Sequence, residues 1–202
     1  MALVHRAAGA PAPAVPADPR PPAEALADPD PELRRRAVLD LGSDPAATAV
    51  LLERVPLEGD AVVREAVLTA LAATDGAEAA AGLAVHLRSE DAALRTAVVE
   101  ALSAMPTGVL PLLPQLVLDP DHDVRILTAM VLARLTGPQA VDWLVEIVSA
   151  DRHPNVVATA VDALLPLAGA EHRPLLAAAR ARFADDPFLC FTIDAALPRL
   201  GR

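Results

Sequence analysis

The sequence predicts an all-α fold: a right-handed α-solenoid of about five helix pairs, closed by one further capping helix. Three observations predict it. An apolar anchor recurs every 30 to 33 residues, each anchor opens a helical apolar stripe, and an Asp precedes nearly every stripe. A period of that length marks a stack of helix pairs, because such a unit buries its apolar edge only against its neighbours.

The anchors are Leu33, Val63, Leu94, Val124, Val156 and Leu189. Four positions on stand Ala37, Val67, Val98, Thr128, Ala160 and Ile193; eight positions on stand Leu41, Leu71, Leu102, Leu132, Leu164 and Leu197. Offsets of zero, four and eight share one side of an α-helix. Three positions before the anchors come Asp30, Asp60, Asp91, Asp121 and Asp186, with His153 in the fifth repeat. An Asp there is a good N-cap: its carboxylate accepts a backbone N–H that has no partner in the helix. Pro31, Pro154 and Pro187 follow at the first helical position, where a missing N–H costs nothing.

Between these first helices the chain predicts second helices over roughly 46–55, 77–88, 108–118, 138–149 and 171–182. Pro111 and Pro114 lie inside the third, which predicts a kink or a shortened helix. Ala25-Leu26 reads as the tail of a truncated preceding helix. Composition agrees, with 53% hydrophobic and 2% aromatic residues and no Tyr. Burial by Ala, Val and Leu suits closely packed helices better than a sheet sandwich.

Residues 1–22 carry six Pro and predict an Ala/Pro-rich arm, flexible or wrapped on a partner; 23–202 form the repeat domain. Pro11, Pro13 and Pro16 break the continuous apolar run that a signal peptide needs. The net charge of −10 argues against a nucleic-acid partner. No run of 18 apolar residues is free of charge and Pro, which argues against a membrane span. The single cysteine, Cys190, has no internal disulfide partner and points to a reducing, cytoplasmic setting.

The repeated pattern D-x-x-(V/L)-R-x-x-A-x-x-A-L resembles HEAT repeats, and in particular the short HEAT-like repeats also found in phycobilin lyase subunits. The resemblance covers residues 24–202. It implies a helical scaffold or adaptor, with an accessory role to a chromophore-attaching enzyme as the alternative. It also implies that Arg34, Arg64, Arg95 and Arg125, which follow their anchors, form a ladder between repeats. In such a ladder each Arg bonds a turn acid or carbonyl of a neighbour; an Arg row for a phosphate or acidic peptide is the other reading. Val157 and Cys190 replace Arg in the last two repeats, so the ladder stops there.

Catalytic candidates are thin, and neither a catalytic residue, a cofactor nor a metal is expected. The densest titratable cluster is Asp119, Asp121, His122 and Asp123, with Asp151 and His153 one repeat later. It could gather metal ligands or serve only as caps and turns. The His-Glu pairs of HEAT-type di-iron hydroxylases are missing: Glu171-His172 is reversed and single. Partner-binding candidates are Gln139, Asp142, Trp143 and Glu146 on the fourth second helix, and Phe188 and Phe191 on the last helix. Trp143 is either core filler or an interface anchor; Phe188 and Phe191 either cap the core or dock a partner. The function expected is a non-catalytic scaffold, adaptor or assembly factor that binds a protein, or a subunit of a larger complex.

Overall fold

The computed structural model describes residues 20–200 except Thr136. Residues 1–19 of the arm expected over 1–22 therefore lie outside the described residues. All regular structure among the described residues is helical.

The first helix among the described residues is a single turn, α1 (Pro22–Ala25), the truncated helix that Ala25-Leu26 predicts. The first helices of the six repeats are α2 (Pro31–Leu41), α4 (Ala61–Ala73), α6 (Ala92–Ser103), α9 (His122–Leu132), α11 (Pro154–Leu164) and α13 (Pro187–Ala196). The second helices are α3 (Thr48–Arg54), α5 (Ala77–Ala84), the split pair α7 (Pro106–Val109) and α8 (Leu113–Leu116), α10 (Pro138–Ala150) and α12 (Arg173–Arg182). A 3-10 turn, Leu110–Leu112, separates α7 from α8, because Pro111 and Pro114 each remove an amide that a continuous helix would need.

Successive first helices pack on one another from α2 to α13, and second helices pack alongside, as α3 on α5, α5 on α7 and α10 on α12. This is an α-solenoid of five helix pairs and a final first-type helix. The stripe explains the packing. Val67, Leu71, Val98, Leu102, Leu132, Ala160 and Ile193 are fully buried. Thr128, the one polar member, is also buried, and its hydroxyl donates to the Val124 carbonyl at 2.8 Å. Leu41 and Leu197 are only half-buried, because each stands at an end of the stack.

Each predicted Asp cap is made. The carboxylates of Asp30, Asp60, Asp91, Asp121 and Asp186 accept amides of their own first turns, whereas His153 makes no side-chain cap. Close backbone approach sets one glycine. A Cβ on Gly108 would lie 2.8 Å from the Gly76 carbonyl oxygen, which is backbone, whereas one on Gly82 would press on the Leu52 side chain, which can turn aside.

Candidate functional site

The four ladder arginines share one half of their bonding. Arg34 donates to the Asp28 carbonyl at 2.9 Å, Arg64 to Glu58 at 2.8 Å, Arg95 to Ser89 at 2.5 Å and Arg125 to Asp119 at 2.7 Å. Each acceptor lies six residues before its Arg, in the loop that enters the repeat. The other half differs from joint to joint. Arg34 grips both oxygens of Glu58 at 2.8 and 2.9 Å, and Arg125 grips Asp151 at 2.7 and 3.3 Å. Arg64 reaches Asp91 at 3.1 Å. For Arg95 the equivalent acid, Asp119, is taken by Arg88 of the preceding turn.

Three of the acids, Glu58, Asp119 and Asp151, sit five positions before an anchor, whereas Asp91 is the helix cap three before its own. The same carboxylates brace the turn from within: Glu58 accepts the Asp60 amide, Asp119 the Asp121 amide and Asp151 the His153 amide, all within 2.9 Å. The Glu58 side chain is 0% exposed and also receives Arg54. Burial opposes its ionisation, but the hydrogen bonds from Arg34, the Asp60 amide and Arg54 outweigh that and hold its pKa at about 2, against an ordinary 4.5. The Arg125 guanidinium is held more basic than usual, chiefly by its hydrogen bonds to Asp151. Arg54 and Arg88 are therefore committed to these joints.

At the last joints the ladder stops, as Val157 and Cys190 predict. Arg182 closes one of them from a different position, donating to the carbonyls of Val148, Ser149 and Asp151. Its guanidinium also lies 4.8 Å from the ring centre of Phe183, which packs on the core.

The titratable cluster assembles in space but as turn chemistry. The imidazoles of His122 and His153 stack with ring centres 4.1 Å apart and planes at 18°. Asp119 and Asp151 are held by arginines, Asp121 caps its helix, and Asp123 lies 3.3 Å from His122. Among the described residues no group of three or more His, Cys, Asp or Glu is arranged to hold a metal.

Of the partner candidates, Gln139, Asp142 and Glu146 are exposed on α10, while Trp143 is half-buried against the core. Phe188 and Phe191 stand 64% and 72% exposed and do not fold back over the stack. The two groups lie on different helix layers, so they do not form one site. The larger openings lie elsewhere again, between first helices: about 480 Å³ between α4 and α6 and about 430 Å³ between α2 and α4. The two adjoin through Glu65, Thr69 and Ala73. A 320 Å³ opening follows Val85, Arg88 and Gln115 on the second-helix side. No single described helix is long and apolar enough to cross a membrane.

The inter-repeat acids and the first-helix grooves are the features that reading single helices misses. A signal for the acids is present, in Asp28, Glu58, Asp119 and Asp151 at the repeat period.

No curated protein matches the chain. Among solved structures, an engineered protein that was a structural-genomics target is 19% identical with a TM-score of 0.40, covering 88% of this chain and 94% of that one. The complex of CpcE and CpcF of phycocyanin lyase from Nostoc sp. PCC7120 is 16% identical with a TM-score of 0.40, covering 96% of this chain and 100% of that one. The family model described as HEAT repeats matches residues 20–105 and 109–187. Those two segments take in most of the sequence and every Arg–acid joint described above, and the chain belongs to the HEAT-repeat family.

Proposed function

We propose that this chain is a non-catalytic scaffold, adaptor or assembly factor that binds a protein partner, working in the cytoplasm. The observation that carries the reading is where the charged groups go. Arg34, Arg54, Arg64, Arg88 and Arg125 are all bonded to Glu58, Asp91, Asp119 or Asp151 or to loop carbonyls. What the surface offers instead is uncommitted apolar area, including Phe188 and Phe191. Exposed aromatic side chains of that kind are what protein interfaces use as anchors.

The test is capture from native lysate with mass spectrometry of what co-purifies, using the intact protein and a Phe188→Ser/Phe191→Ser variant. One or a few stoichiometric proteins should be retained by the parent chain and depleted with the variant, while far-ultraviolet circular dichroism stays the same. A monomer that retains nothing from its own lysate would overturn the reading.

A further inference from the structure

Phe188 and Phe191 belong to a larger pattern. Five large apolar side chains stand exposed on first helices: Leu39, Val62, Met130, Phe188 and Phe191. Counted from the anchors, they occupy positions −1, +2 and +6. At 100° per residue those three positions cluster opposite the 0, +4, +8 core stripe. A surface helix normally keeps that side polar. Here it is apolar at both ends of the solenoid, and the adjoining openings over α2, α4 and α6 lie along it, with Leu39 and Val62 lining one of them. Alanines such as Ala93 and Ala97 let the floor of the other run close to the backbone.

The charges at the same three positions are one-sided. Across the six first helices they are Glu32, Glu65, Glu100, Asp123 and Asp162 against one base, Arg35. All five acids are exposed, and Arg35 is already paired with Glu32 at 3.0 Å. Glu100 meets Arg134 only at 3.6 Å, with both side chains more than half exposed, a contact of little strength.

From this apolar floor with acidic walls we infer that the outer side of the first helices is a docking surface for a basic amphipathic helix of a partner protein. The inference rests on the proposed scaffold function and names its surface and the chemistry of its partner. The apolar stripe of the incoming helix lies in the trough across α2, α4 and α6, in ridge-into-groove contact. Its flanking Lys or Arg side chains meet Glu65, where the two openings adjoin, and Glu100 on the α6 side. Like-charged partners, nucleic acid and anionic membranes are repelled by the same acids.

The test uses a fluorescein-labelled peptide of about twenty residues, with a Leu/Ala stripe at helical spacing and Lys on both flanks. A Glu-flanked twin and a scrambled Lys peptide serve as comparisons. The Lys-flanked helix should bind the intact protein, with affinity falling as salt rises, and neither comparison peptide should bind comparably. Ala93→Arg, at an exposed site in the trough floor, should weaken binding about tenfold or more without loss of helicity. Glu65→Gln/Glu100→Gln should weaken it several-fold and flatten the salt dependence, whereas Asp142→Lys/Glu146→Lys on α10 should leave it unchanged. Equal binding of the scrambled peptide, sensitivity only to the α10 variant, or preference for phosphatidylserine vesicles over the peptide would overturn the inference. So would no binding at all. A lysate partner that is still retained by Ala93→Arg but lost with Phe188→Ser/Phe191→Ser would sink this surface while leaving the scaffold function standing.

Discussion

The Asp75 carboxylate accepts the backbone amide of Gly108 at 2.8 Å, across a repeat boundary 33 residues long. It takes the Thr107 amide as well, at 3.0 Å, so one side chain caps the start of the following repeat's second helix. Burial works against the Asp75 charge, but the amides of Gly108 and Thr107 overcome it and lower the pKa below the ordinary range. The backbone of Asp75 is left-handed, with φ at +44°, a conformation that Asp and Asn tolerate better than most residues.

Both sides of that contact are sensitive to substitution. Gly108→Ala places a methyl 2.8 Å from the Gly76 carbonyl oxygen, which is backbone and cannot swing aside. A cost of about 1–3 kcal/mol is expected, read as a lower urea midpoint. Asp75→Asn keeps the turn and one acceptor oxygen, and should cost roughly 1 kcal/mol. Asp75→Ala should cost more than Asp75→Asn.

Acid should loosen the joint between the first and second repeats through Glu58. Its carboxyl titrates near 4.5 in the unfolded chain and at about 2 in the folded one, so the folded state binds its proton less readily. The stability it contributes is therefore fully present above pH about 5 and is lost as pH falls toward 2. The shift corresponds to roughly 3 kcal/mol. Glu58→Gln should cost about 3–5 kcal/mol at pH 7, because Arg34 and Arg54 lose a buried partner. Denaturation series at several pH values should show the gap between parent and variant narrowing over that same interval.

The stripe leucines should grade by depth. Leu102→Ala and Leu132→Ala, at fully buried sites, should each cost about 2–5 kcal/mol. Leu41→Ala and Leu197→Ala should cost less, since both ends of the stack leave these side chains half-buried. Thermal or urea melts of the four variants rank them directly, and equal losses at all four positions would contradict the stacking.

Arg125 tests whether the ladder needs a fork or only a charge. It holds the Asp119 carbonyl and both Asp151 oxygens at once, with the Asp151 side chain 6% exposed. Arg125→Lys keeps the charge but loses the paired geometry, so most of the stabilisation should go with it. Arg125→Met should cost about 3–5 kcal/mol, since Asp151 is then buried without its cation.

Much of this architecture is legible in the chain because it is local. The caps at Asp30 to Asp186, the stripe and the break at Pro111 and Pro114 each depend on residues within one helix. The joints are not local. Arg34, Arg64, Arg95 and Arg125 look alike in sequence, yet their partners differ because Ser89 stands where its counterparts are Glu58, Asp119 and Asp151. Arg64 therefore turns to the cap Asp91, and Arg95 keeps only its loop carbonyl because Asp119 goes to Arg88. The outer trough was hidden for a related reason. Leu39 and Val62 are single exposed side chains on separate helices, and only stacking brings them to one opening.

Because buried charge pairs such as Arg34–Glu58 and Arg125–Asp151 lock the early joints, while the last two have the carbonyl-binding Arg182 and only the exposed Arg180–Asp194 pair, the rod is unevenly stiff along its length. Slow amide exchange should therefore be concentrated between α2 and α9, and breathing should begin at α13. A partner gripping the Phe188 and Phe191 end would seize the part of the molecule that moves most, and would quench that motion as it bound.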